Sequence, residues 1–100
     1  MNEPYRELLI WAAKAAGIEG EFKDHGGVLW LFRDGFGSPW NPLIDDGDAL
    51  RLAVKLHLLY GINTDILNHY LALELPSDDP LDASRRAIVR AAAEIGRNMK

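Results

Sequence analysis

Cysteine is absent from the 100-residue sequence. Its absence excludes a disulfide framework, a thiolate nucleophile and a cysteine-rich zinc site, and it fits a reducing compartment such as the cytoplasm. Long apolar runs are missing too. No stretch approaches the ~20 consecutive apolar residues of a membrane-spanning helix, and residues 1–6 are polar and acidic where a secretory signal needs a basic start and an apolar run. Neither membrane insertion nor export by that route is expected. Positive charge is in short supply: eleven Lys and Arg against fifteen Asp and Glu give a net charge of -4. A whole-surface attraction to nucleic acid or anionic membrane is therefore disfavoured. Histidine occurs only as His25, His57 and His69, in three separate segments. With no Gly-x-Ser-x-Gly and no thiol, acyl-transfer chemistry has no support, and the chain reads as a non-enzyme with no cofactor and no metal.

What is present suits one core. A chain of this length that is 48% hydrophobic predicts a single compact domain over residues 1–100, which the pattern of elements below makes α+β. Tyr5, Leu8, Leu9, Ala12 and Ala16 recur at helical spacing, with Pro4 suited to a first turn and Gly17 to a left-handed stop. Residues 18–27 are polar and aperiodic and read as a connection. Val28-Leu29-Trp30-Leu31-Phe32 is too short for a helix and rich in strand formers; Asp34-Gly35 then predicts a tight hairpin into a return strand. Pro39 cannot donate to a ladder, so that return strand is expected to be short and at an edge. Ala49, Leu52, Ala53, Leu56 and Tyr60 mark a second helix, closed by Gly61, on which Leu50, Val54, Leu58 and Leu59 widen the apolar arc. Residues 62–75 read either as two strands, from the alternation of Tyr70, Ala72 and Glu74 with Leu71, Leu73 and Leu75, or as a helix of Leu, Ala and Glu. Asp78-Asp79-Pro80 announces a last helix over residues 80–97. Its small apolar face of Ala83, Ala87, Ala91 and Ala92 permits close approach to a sheet or another helix.

Trp40-Asn41-Pro42-Leu43, followed by Asp45-Asp46-Gly47-Asp48-Ala49-Leu50-Arg51-Leu52-Ala53-Val54-Lys55-Leu56, resembles small uncharacterised proteins encoded by phages and prophages of proteobacteria. The segment from Asp79 to Gly96 resembles the ending of the same group. The Trp-x-Pro turn before a helix is more distantly similar to the phage ABA sandwich domain. This resemblance implies a four-stranded antiparallel sheet packed with helices in the order α-β-β-α-β-β-α, which favours strands over residues 62–75. It implies no particular activity.

The remaining constellations have plain readings. Asp45, Asp46 and Asp48 lack the alternation of a calcium loop and stand where a helix start needs carboxylates, so capping is preferred to metal binding; Asp78, Asp79 and Asp82 repeat the pattern. The glycines of Gly35-Phe36-Gly37-Ser38 belong to a hairpin rather than a phosphate loop, since no Walker Lys follows. The segment 84–100 carries +4, which leaves -8 for the remainder. Arg86, Arg90 and Arg97 share a helix face that either meets phosphates or, as preferred here, pairs with the acidic body, including a local Arg90 and Glu94 pair. Trp30 and Phe32 alternate with Leu29 and Leu31, so both faces of their strand are apolar; either helices cover both or one face awaits a partner. Phe36 at the hairpin is expected to be exposed for contact or buried under the first helix.

The resulting expectation is a phage or prophage accessory protein, cytoplasmic in the host cell, that binds a host or phage macromolecule without catalysis, as a host-takeover or anti-defence factor. A nucleic-acid-binding module on the basic last helix is the alternative. Phe36, Trp40, Arg86, Arg90 and Arg97 are the candidate contact residues. A protein is the expected partner, a homodimer is compatible with the wide apolar arc, nucleic acid ranks lower, and no membrane is involved.

Overall fold

A computed structural model describes residues 3–25, 28–33 and 35–99. The first helix, α1 (Glu3–Ala15), buries Leu9, Ala12, Ala13 and Ala16. It ends where expected: Gly17 takes φ +69°, and the Ile18 N–H reaches back to the Ala13 carbonyl at 2.9 Å while that of Gly17 meets Lys14. Such a pair of bonds across a left-handed residue satisfies carbonyls that a helix end leaves open.

Three antiparallel strands follow, β1 (Glu21–His25), β2 (Val28–Arg33) and β3 (Phe36–Pro39), in that spatial order. β1 corrects the reading of residues 18–27 as a connection. It escaped notice because a single apolar residue, Phe22, stands among charged ones, yet Phe22 pairs with Leu31 and packs against the core. The Gly26-Gly27 dipeptide between the two strands is a hairpin signal in its own right, and it lies outside the described residues. Alternation along β2 places Leu29 and Leu31 on the buried face and Trp30 and Phe32 on the other. β3 is a four-residue edge strand, as Pro39 predicts.

α2 spans Asp46–Lys55. Its end is a second correction, since Gly61 does not close it. His57 takes the left-handed conformation at φ 57°, and the Leu58 N–H meets the Ala53 carbonyl at 2.9 Å. The chain then forms α3 (Thr64–Glu74), where two strands were expected. Leu67 is buried, and Ile66, Tyr70 and Leu71 pack partly against the core, while Leu73 is exposed. Burial thus follows a spacing of three and four rather than two, and the helix-forming content of Leu, Ala and Glu agrees with it. The architecture is α+β with three described strands and four helices, in the order α-β-β-β-α-α-α, in place of four strands in the order α-β-β-α-β-β-α.

α4 (Pro80–Arg97) matches the predicted span and is central, packing along α1, α3 and α2. Ala83, Ala87, Val89, Ala91, Ala92 and Ala93 are all buried. The contact with α1 is closest at Gly96, where an added Cβ would fall on the Trp11 carbonyl oxygen and within 2.8 Å of its carbonyl carbon. Only glycine permits that approach of two backbones. No described helix is long and apolar enough to cross a membrane.

Candidate interaction surface

The segment linking β3 to α2 is fixed by its own polar groups. Asn41 is 6% exposed, and its Oδ1 accepts from the Leu43 N–H at 3.0 Å. Its backbone N–H donates to Asp48 Oδ2 at 3.0 Å, and its carbonyl accepts from Ile44 and Asp45. Asp45 caps α2 by accepting from the Asp48 N–H at 2.7 Å, and Asp79 caps α4 by accepting from the Asp82 N–H at 3.1 Å. Both acidic clusters therefore contain the capping carboxylates that a helix start calls for. Among the described residues, no group of three His, Asp or Glu side chains is placed to hold a metal ion.

This bracket sets α2 beside the sheet and leaves a groove of about 470 Å³ between them. Trp40 contributes apolar surface over a floor of buried Leu31 and Leu52, Ser38 and Pro39 form the strand side, and Asp48, Arg51 and Lys55 form the helix side. Trp40 is half-buried, its ring 5.7 Å from that of Phe22. Phe36, at the start of β3, is 81% exposed and so is not buried under α1. On the outer face of the sheet the rings of Trp30 and Phe32 lie 6.2 Å apart and nearly parallel, with Lys23 Nζ 5.5 Å from the Phe32 ring. Phe32 lies across Gly37, where an added Cβ would come within 2.6 Å of its Cδ1.

The arginines occupy a different place and have partners. Arg86 Nε and an Arg90 guanidinium nitrogen both donate to Glu74, at 2.9 and 2.7 Å, and Arg86 also pairs with Asp82. These donors hold the Glu74 carboxyl below its ordinary range, Arg86 contributing most, against the opposing effect of burial. Arg90 further stands over the Tyr70 ring at 4.7 Å. The expected Arg90–Glu94 pair gives way to the one with Glu74, because α3 is a helix that brings Glu74 to α4; Glu94 instead accepts from the Tyr70 hydroxyl at 3.0 Å. Burial and that acceptor raise the Tyr70 pKa. Arg85 bonds Asp46 at 2.6 Å and the Leu43 carbonyl at 3.0 Å, tying α4 to the start of α2. Arg97 is exposed beside Glu7 and Trp11.

Of the five candidate residues, Phe36 and Trp40 thus flank β3, whereas Arg86, Arg90 and Arg97 line up on α4. His57 and His69 are exposed on different elements, near Tyr60 and Tyr70, and the His25 side chain lies outside the described ones. The residues overlooked in the sequence are Asn41, for which Asn-Pro ahead of a capped helix was the available signal, and the Arg51–Lys55 spacing on α2. Comparison of the chain with protein-family models, curated proteins and solved structures finds no match.

Proposed function

We propose that the chain is a small, non-catalytic phage or prophage accessory protein that binds a host or phage protein through β3 and its surroundings. The observation that carries this reading is a strand whose four residues are all exposed, headed by Phe36 at 81% exposure and flanked by a groove. Exposed aromatics of this kind anchor protein interfaces more often than they serve a monomer, since burying one on association removes a large apolar area from water. The pairing of Arg86 and Arg90 with Glu74 and Asp82 takes weight from the nucleic-acid alternative, because arginines already neutralised release few counterions on meeting phosphate.

Affinity capture of the tagged chain from host cells during infection, with mass spectrometry of the eluate, tests the reading. A stoichiometric protein that is lost with Phe36→Ala is expected. A salt-sensitive nucleic-acid eluate that depends on Arg97 would overturn it.

A further inference from the structure

The two edges of the sheet differ in chemistry. β1 carries Glu21, Lys23 and Asp24, and charges of this sort keep an edge from pairing with other chains; β3 has none. The Trp40 N–H donates to the Leu29 carbonyl at 3.0 Å, and an antiparallel ladder repeats its bonding orientation every second residue. Ser38 and Phe36 therefore turn toward β2, and Gly37 and Pro39 turn their backbone groups outward. The outward rim presents one N–H, from Gly37, and two carbonyls, from Gly37 and Pro39. That set accommodates one short added strand in a register that Pro39 restricts.

Beside this rim lies the groove with Leu31, Trp40 and Leu52, walled by α2. Arg51 and Lys55 stand one helical turn apart on that wall. Arg51 is held by Asp48 at 2.7 Å and by Asp45 at 4.0 Å, whereas Lys55 is exposed with no ion-pair partner among the described residues, so the wall offers a cation at Lys55 in a chain of charge -4. We propose that β3 accepts an extended acidic segment of a partner protein as a fourth strand. Its apolar side chains rest on Trp40, over a floor of buried Leu31 and Leu52, and its carboxylates face Lys55. The proposal rests on the protein-binding reading above and names the chemistry of the partner.

The test uses the full chain, isotope-labelled for NMR, and the end-blocked peptide Thr-Val-Thr-Leu-Thr-Glu-Thr-Glu. Binding is expected to protect the Gly37 amide from hydrogen exchange and to shift the resonances of Leu31, Trp40 and Leu52. A lysine-for-glutamate peptide should bind up to about fivefold more weakly, the range of an exposed ion pair, and Lys55→Glu should reverse that order. N-methylation of alternate peptide amides should abolish binding in one register and spare it in the other. An unprotected Gly37 amide at millimolar peptide, equal binding by both N-methylated peptides, or an unchanged order in Lys55→Glu would overturn the proposal. Capture of a Phe36-dependent partner alongside an unprotected Gly37 amide overturns strand addition and leaves the protein-binding reading standing; failed capture with peptide protection does the reverse.

Discussion

Gly96→Ala isolates the closest contact in the fold. In an exposed helix interior the substitution gains about 1 kcal/mol from propensity. Here the added methyl lands on the Trp11 carbonyl, 2.8 Å from its carbon and 3.3 Å from its Cα, and the obstacle is backbone rather than the tip of a flexible side chain. Reaching ordinary contact requires α1 and α4 to part by more than ~1 Å, which forfeits about half or more of each dispersion well along the seam. Ala12, Ala13, Ala92 and Ala93 are fully buried and have no rotamers with which to refill it. Overpacking costs about 1–3 kcal/mol where neighbours can give. Taking the upper end and subtracting the propensity gain leaves a net loss of about 2 kcal/mol, or about 8–16 °C in Tm for a domain of this size. Gly47→Ala in α2 is the internal control, because its Cβ would meet side-chain rather than backbone atoms, the Asp45 capping carboxylate at 3.2 Å and the Arg51 guanidinium at 3.3 Å. It should be neutral or stabilising by a few tenths of a kcal/mol. Urea unfolding of both variants measures the difference. Equal effects of the same sign would refute the backbone contact between α1 and α4.

Other perturbations probe the remaining supports. Asn41→Ala leaves the Leu43 N–H without its buried acceptor and should cost about 1–3 kcal/mol in urea unfolding, while Ile44→Ala on the exposed side of the same turn should change little. His57→Gly relieves a left-handed non-glycine residue and should stabilise by about 0.5–1 kcal/mol, read as a higher urea midpoint with an unchanged slope. Because the Glu74 pKa is depressed in the folded chain, its contribution to stability is fully present above the unfolded carboxyl value of about 4.3 and is lost as the pH falls through the lower folded value. Glu74→Gln should accordingly flatten the acid limb of a stability profile below about pH 4 and lower the plateau at neutral pH by about 1.5–3 kcal/mol.

The elements legible in the sequence are those that carry their own boundary chemistry. Pro80 after Asp79 sets the start of α4, Gly17 sets the end of α1, and Pro39 confines β3 to an edge; in each case a backbone restriction acts regardless of what packs nearby. The misread elements depend on distant partners. Tyr70 to Leu75 alternates well enough for a strand, and only the small-residue face of α4 decides in favour of a helix, by offering Leu67 and Leu71 a seat at spacings of three and four. β1 owes its existence to β2, because one inward phenylalanine does not define a strand until Leu31 stands opposite it. The candidate surface divides along the same line. Phe36 stands out by its place beside a hairpin turn, a local property, and its exposure follows. Arg86 and Arg90 stand out by helical spacing, also local, but their availability depends on where Glu74 goes, and that follows from the conformation of residues 64–74. Reading those residues as strands would direct Glu74 elsewhere, leaving Arg86 only its pair with Asp82 and taking from Arg90 its Glu74 partner. The availability of these arginines to a phosphate thus depends on the secondary structure of one eleven-residue segment.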